Sequence, residues 1–312
     1  MKRAVLTGAT GVIGSALIRE LLSRDYEILT VLREGSPHNA RIPDDPRVTK
    51  IDCSVEHLGS LTNTTGRTWD VFFHLGWSGT KGPDRFDPCI HTENIRYALD
   101  AVQAAHRLGC SCFVGAGSQA ELGRSEGRLT PDTLPAPENA YGAGKLAAGH
   151  MTRLYAHQLG MRHVWTRILS VYGPNDGEKT MITYLIDCLR GGTRPSLTAG
   201  EQVWDYLAAD DAAAALAAAG ERGRDGACYL IASGTERTLR DYIEEIRDIT
   251  APGAEIGFGE RPYAKGQVMH LTADISQTKE DLDWEPRLTF REGIRRMLDA
   301  ADAGRPDRRD DR

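Results

Sequence analysis

No apolar run in this sequence approaches the ~20 residues of a membrane-spanning helix. Positive charge is short as well: the formal net charge is −6 and the isoelectric point is near 5.9. Neither a nucleic acid nor an anionic membrane is therefore an expected partner. Cysteine is sparse, six in 312 residues, and falls inside apolar segments or singly in loops. That spacing argues against a disulfide framework and fits the reduced thiols of a cytoplasmic protein. Cys110-Ser111-Cys112 offers two ligands but no second pair at zinc spacing. Structural zinc needs four, so two buried thiols and no metal are expected. Met1-Lys2-Arg3 runs directly into a strand-like segment and a glycine turn, which is not a signal-peptide pattern. Internal repeats are absent.

What is present is glycine, at 33 residues, and an apolar fraction of 40%, which fit a globular α/β chain. Its length suffices for one large domain or two. Residues 3–7 read as a short buried strand. Gly8-Ala9-Thr10-Gly11-Val12-Ile13-Gly14 then turns into a helix reaching Leu22. Further strands are expected at 27–32, 47–51, 70–75, 112–115 and 163–169, with helices at 90–108 and 141–159. This alternation predicts a parallel, doubly wound Rossmann sheet with its ligand at the C-terminal ends of the strands. After Gly173-Pro174 the rhythm is irregular. Helices are expected at 180–190, at Asp210–Ala219 from an acidic N-cap, at 238–249 and at 289–302, with a strand at 228–231. The expected organisation is a dinucleotide-binding domain over 1–172, to which 205–235 returns, and a smaller substrate-binding lobe from 173–204 and 236–302. Residues 303–312 are charged and read as a disordered tail.

Two local patterns carry chemistry. Three glycines between a strand and a helix let the backbone approach a pyrophosphate, which sits on the helix N-terminus. Gly8, Thr10, Gly11, Val12, Ile13 and Gly14 are thus candidate cofactor contacts. Tyr141 and Lys145 lie four apart on a helix, on one face, where a lysine cation would lower the phenol's pKa. A hydroxyl such as Ser118, brought alongside, could bond a substrate oxygen while Tyr141 exchanges its proton.

The residues Thr7-Gly8-x-x-Gly11-x-x-Gly14, Ser118, Tyr141-x-x-x-Lys145 and Arg167-x-x-x-x-Tyr172-Gly173-Pro174 resemble the extended short-chain dehydrogenase/reductases. The branch they are most similar to is that of the sugar-nucleotide epimerases, dehydratases and ketoreductases. Ala273-Asp274-Ile275-Ser276 and Leu282-Asp283-Trp284-x-Pro286 resemble that branch's C-terminal segment. The resemblance implies a catalytic Ser118, Tyr141 and Lys145. It also implies Asn94 as support for the active-site lysine and its water chain, or else a helix or loop cap. Asp52 is implied at the adenine, with Cys53 beside it, and Leu75 and Gly76 are implied along the cofactor. It further implies a two-fold homodimer through helices 90–108 and 141–159.

Where NAD-using members end strand two with an Asp for the ribose 2′-hydroxyl, this sequence has Leu32 followed by Arg33. An arginine there suits a 2′-phosphate, so NADP(H) is favoured over NAD(H), with Ser36 and His38 as helpers. The 4,6-dehydratases follow their Ser/Thr with Asp-Glu; here Gln119-Ala120-Glu121 follows Ser118, which argues against elimination. The usual substrate arginine and asparagine are Trp204 and Ser170. Trp204 either stacks on the substrate or closes the lobe as core. Trp77, Lys81, Arg85 and Gln119 remain candidate substrate contacts, and Arg261 and Lys265 further cations. Three functions stay open: an NADP(H)-dependent reductase of a keto-sugar, an epimerase using the same residues, and a non-catalytic cofactor-binding regulator.

Overall fold

The computed structural model of the chain describes residues 2–177 and 180–303. From residue 304 onward the expected tail lies outside the described residues. In chain order the first strands are β1 (Lys2–Thr7), β2 (Tyr26–Leu32), β3 (Val48–Asp52), β4 (Val71–His74), β5 (Cys112–Ser118) and β6 (Arg162–Ile168). Short ones follow: β7 (Ser170–Tyr172), β8 (Val203–Trp204), β9 (Tyr206–Ala208), β10 (Cys228–Ile231), β11 (Arg237–Thr238) and β12 (His270–Leu271). The helices are α1 (Val12–Ser23), α2 (Pro88–Arg107), α3 (Ala140–Gln158) and α4 (Met181–Arg190). They continue with α5 (Ala209–Arg222), α6 (Leu239–Thr250), α7 (Ser276–Leu282) and α8 (Phe290–Ala303).

Seven parallel strands make the central sheet, in the order β10-β6-β5-β4-β1-β2-β3. The strand period of two divides their side chains between the faces. Ala4, Leu6, Ile28, Phe73 and Val114 pack under α1 and α5. Val5, Leu29, Phe72 and Phe113 pack under α2 and α3. The alanine run of α5 allows close approach: Ala212, Ala213 and Ala215 to Ala219 are fully buried. On the opposite face, Phe72, Phe113 and His163 stack across β4, β5 and β6, with ring centroids 5.8 Å apart at each step.

Asp210 and Asp211 do not cap their own helix, contrary to expectation. The N-cap is Ala208, and both acids sit in the first turn, where they are used elsewhere. Asp210 pairs with Arg19 and Arg296, and Asp211 accepts the backbone N–H groups of Arg287 and Leu288. They tie α5 to α1 and to the approach to α8. α2 and α3 start on side-chain caps instead, Asp87 accepting from Cys89 N and Asn139 from Gly142 N.

The remaining elements pack beyond the C-terminal edge of the sheet. α4, α6 and α8 close around Leu185, Ile246 and Ile294. β8 pairs with β11 and β12, and β7 with β9, directly after β6. Asp205, fully buried between β8 and β9, accepts the N–H groups of Ser233 and Gly234 and so fixes the turn after β10. No helix among the described residues is long and apolar enough to cross a membrane. The strand order reverses between β1 and β4, so their connections leave toward opposite faces and open a crevice above both ends.

Candidate active site

The glycine turn lies at that reversal. Gly8 has φ +71, and a methyl there would meet the Leu75 carbonyl carbon at 2.7 Å and Gly76 N at 2.8 Å. A methyl at Gly14 would collide with the carbonyl of Gly8. The protein itself demands these two glycines: the ends of β1 and β4 nearly touch, and α1 lies against its own turn. Gly11 differs, since a methyl there meets only the Gly8 carbonyl oxygen, at 3.5 Å. Its bareness serves space outside the chain. Gly11 is also the N-cap of α1, with no side-chain cap and no acid in the first turn. The first N–H groups of α1 are left for an external anion. These features fit a dinucleotide's pyrophosphate. Thr7 steadies the floor, its hydroxyl bonded to His74 Nδ1 at 2.9 Å and accepting Gly76 N at 3.2 Å.

Ser118 ends β5, and Tyr141 and Lys145 occupy the first turns of α3, so sheet and helix bring all three together. All are buried. Burial raises the Tyr141 pKa, partly countered by the Ser118 hydroxyl and the Arg85 cation. Lys145 lies one helical turn further along the same face of α3. Its Nζ donates to Ala116 O at 2.6 Å and lies 3.9 Å from the Trp77 ring centroid, but 5.9 Å from that of Tyr141. Burial drops the Lys145 pKa to about 7, with Glu121 pulling it upward. The Arg85 guanidinium is 4.2 Å from the centre of the Tyr141 ring. Trp77 Nε1 donates to His91 Nδ1 at 3.2 Å, and the two rings stack.

Glu121 is fully buried behind this centre. Its Oε1 accepts from Ser118 N at 2.8 Å and Trp165 Nε1 at 3.0 Å, and its Oε2 from Arg167 Nε at 2.9 Å. Asn94 does not reach Lys145. Its amide exchanges two bonds with the Ser78 backbone, at 3.0 and 2.9 Å, because the loop after β4 passes directly over that turn of α2. It pins the loop carrying Trp77.

The family described as "NAD dependent epimerase/dehydratase family" matches residues 4–232. This chain belongs to that family. It is an NAD(P)-dependent enzyme of the extended short-chain dehydrogenase/reductase type. Among its relatives, dTDP-glucose 4,6-dehydratase of Streptomyces antibioticus is 27% identical, over 95% of this chain and 91% of its own. CDP-abequose synthase of Salmonella typhimurium is 28% identical, over 94% and 96%. The fold is shared with UDP-glucuronic acid 4-epimerase of Bacillus cereus, solved with UDP-glucuronic acid and NAD. The TM-score is 0.82 at 24% identity, covering 97% of this chain and 99% of that one.

Around the epimerase/dehydratase core, the other candidates divide. Arg33 is exposed at the end of β2, with Ser36 and His38 in the turn beyond. Asp52 ends β3, and Cys53 N returns to Leu32 O at 2.7 Å, so both flank that edge. Leu75 and Gly76 line the crevice beside Gly8. Ser170 and Trp204, the two departures from the family pattern, are bonded to each other: Trp204 Nε1 donates to Ser170 Oγ at 2.8 Å. Trp204 also packs, partly buried, against the main core. Lys81 reaches the lobe, its ammonium filling the place a side chain at Gly177 would need. Gln119 is half-buried in the turn after Ser118. Arg261 leans on Tyr184, its Nη2 donating to the hydroxyl at 3.4 Å, and Lys265 is exposed. Cys110 and Cys112 are buried thiols, both pushed up by burial, Cys112 to about 11. Among the described residues no group of three or more His, Cys, Asp or Glu is placed to hold a metal. Sequence reasoning missed Arg41, whose Nη1 donates to Thr10 O at 2.9 Å. It missed His91 as well. Neither position stands in a periodic or motif context that would have marked it.

Proposed function

We propose that the protein is an NADP(H)-dependent reductase of a nucleotide-linked keto-sugar. The observation carrying this reading is the cationic end of β2. Leu32 stands where a carboxylate would face a ribose 2′-hydroxyl, the exposed Arg33 follows it, and Arg41 reaches the glycine turn nearby. Two arginines near this edge suit a 2′-phosphate. A cofactor exchanged at each turnover suits net reduction. When bound, the nicotinamide supplies the hydride. Tyr141 gives its proton to the sugar oxygen, Ser118 orients that oxygen, and Lys145 holds the ribose side of the site. Glu121 is fully buried and committed to three protein donors. That speaks against an acid–base pair for elimination. Comparing NADPH and NADH affinity by calorimetry, then following NADPH absorbance with a series of nucleotide-linked keto-sugars, tests the reading. Clear NADH preference would remove its basis.

The likeness to a sugar-nucleotide 4-epimerase favours a second reading, reversible epimerisation by the same three residues. Oxidised cofactor retained through purification would support that alternative. We further propose a two-fold homodimer through α2 and α3. Its support is the exposed apolar pair Met151 and Leu154 on α3. A monomer by light scattering would refute it.

A further inference from the structure

The strand that ends in Ser118 is bare of side chains just before it. β5 has glycine at 115 and 117, and glycine inside a strand offers nothing to pack. Trp165 fills that space. It stands opposite Gly115 in the register of β5 and β6, and its indole lies against both glycines and against Gly149 of α3. A methyl at Gly115 or Gly117 would collide with the indole, and one at Gly149 would meet its Cε2 at 2.9 Å. The ring is buried and stacks on His163, with 6.1 Å between centroids. Held this way, its Nε1 donates to Glu121 Oε1 at 3.0 Å.

Glu121 follows Ser118 at the spacing of a capping box. Its carboxylate returns to Ser118 N at 2.8 Å, and the Ser118 hydroxyl accepts from Ala120 N at 3.2 Å. A capping glutamate on a surface is free to swing. This one is fully buried and tied twice to β6, through Trp165 Nε1 and through Arg167 Nε at 2.9 Å. The carbonyls ahead of the serine are held as well. Gly115 O accepts from the Thr166 hydroxyl at 3.0 Å and Ala116 O from Lys145 Nζ at 2.6 Å.

We propose that Trp165, Glu121 and Arg167 are positioning residues for Ser118. The indole replaces the side chains that β5 lacks and aims the carboxylate at the serine amide. The serine hydroxyl then stands in one place before substrate arrives. With Oγ already accepting from Ala120 N, its own proton is kept for the substrate oxygen. A displacement of about 1 Å at such a group can cost roughly 100-fold in rate. The acid in the turn after the serine thus serves as a fixture of the backbone and carries no proton in the reaction.

The inference rests on Ser118 orienting the substrate oxygen in the proposed reduction. Removing Glu121 alone would leave the Arg167 charge unpaired in a largely buried place. The test therefore combines Glu121→Leu, Trp165→Phe and Arg167→Met in the full-length protein. That triple variant keeps a ring against the glycines and removes both charges of the pair. The Ser118 amide hydrogen, followed at single-residue resolution by exchange mass spectrometry, should exchange about tenfold faster or more, while Phe113 and Val114 stay within about twofold. Keto-sugar reduction should lose about tenfold or more in kcat, with KM within about twofold. In a Ser118→Ala background the same three substitutions should cost less than about twofold in kcat. Trp165→Phe alone removes one donor and keeps the ring; it should move exchange and kcat in the same directions by about threefold, and it serves if the triple variant does not fold. An unmoved Ser118 amide overturns the inference whatever reaction the protein performs. An undiminished kcat overturns it too, as does an undiminished effect in the Ser118→Ala background, which would make the three residues a general support of the fold. A quickened amide in a protein that reduces no keto-sugar sustains the placement of Ser118 and sinks the proposed reaction.

Discussion

In the proposed reaction Tyr141, Lys145 and Ser118 divide one task, and burial is the largest influence on the Tyr141 phenol and the Lys145 ammonium. Replacing Tyr141 by Phe removes the proton donor without altering the ring packing against Trp77 and His91. Turnover should fall by at least 100-fold while NADPH affinity, read by fluorescence, stays within about twofold of the parent. Lys145 gives a second prediction at this scale. In the fold its pKa is about 7, against an ordinary 10.5. Between these values the unfolded chain binds a proton that the folded chain has released. Stability from this group therefore rises with pH across roughly 7 to 10.5. Below that window the fold must bury an ammonium. Lys145→Met should abolish turnover yet raise the melting temperature of the free protein near pH 7 by several degrees. It should also flatten the alkaline rise in stability. An unchanged or lower melting temperature would show that the Ala116 and Trp77 contacts already compensate burial. The shared placement of Tyr141 and Lys145 on α3 was legible from the sequence, because four-residue spacing on a helix fixes a shared face. The placement of Arg85 was not. It depends on how a glycine-rich loop folds back, which no periodicity records. Nor was the engagement of Glu121, which needs Trp165 and Arg167 from a strand 44 and 46 residues away.

At the level of elements, the glycine turn and α1 behave as one part. Gly14→Ala would place a methyl against the Gly8 carbonyl and 2.8 Å from Ala9 Cα, atoms of the backbone that cannot swing aside. α1 must then tilt away from the turn. The expected result is a loss of about 1–3 kcal/mol in urea-unfolding stability. NADPH binding should weaken at least tenfold, since the helix N-terminus moves from the pyrophosphate position. Gly11→Ala should leave stability within about 0.5 kcal/mol yet weaken cofactor binding comparably, because its methyl meets only the Gly8 carbonyl oxygen at 3.5 Å and otherwise takes up space a pyrophosphate would need. The long elements were readable in advance: their periods of 2 and 3.6 persist for six residues or more. β8, β11 and β12 have two residues each and β7 and β9 three, too few to display a period. In the three-stranded sheet, Trp204 of β8 stands between Arg237 of β11 and Leu271 of β12, and Val203 between Thr238 and His270. The seven-residue α7 is similarly short, ending at Asp283 in the left-handed region at φ 44.

Across the whole molecule, two buried imidazoles contribute to the acid sensitivity expected of the fold. His74 and His163 are each depressed to about 3 from 6.5, chiefly by burial. Below pH 6.5 the unfolded chain takes up protons that the folded chain refuses, so stability falls as pH drops toward 3. By pH 5 the loss is on the order of 2 kcal/mol for each histidine. The melting temperature should decline steadily from pH 6.5 to 4. His163→Phe, which keeps the stack between Phe113 and Trp165, should make that decline shallower. An identical slope in the variant would assign acid sensitivity to other groups. The family's overall architecture was legible because strand–helix alternation through residue 168 permits little else. The lobe was foreseen only as a region, since its pieces are joined by tertiary contacts between distant segments.

The position of α5 in the chain has a consequence for biosynthesis. Ala4, Leu6, Ile28 and Phe73 are covered on one face by α1 and by α5, which begins at Ala209. During translation at about 5–20 residues per second, that face emerges from the ribosome and waits on the order of ten seconds or more for its cover. Strands β1 to β6 therefore pass through a half-dressed stage. In that stage one side is already closed by α2 and α3, and the other offers nascent-chain chaperones an apolar surface.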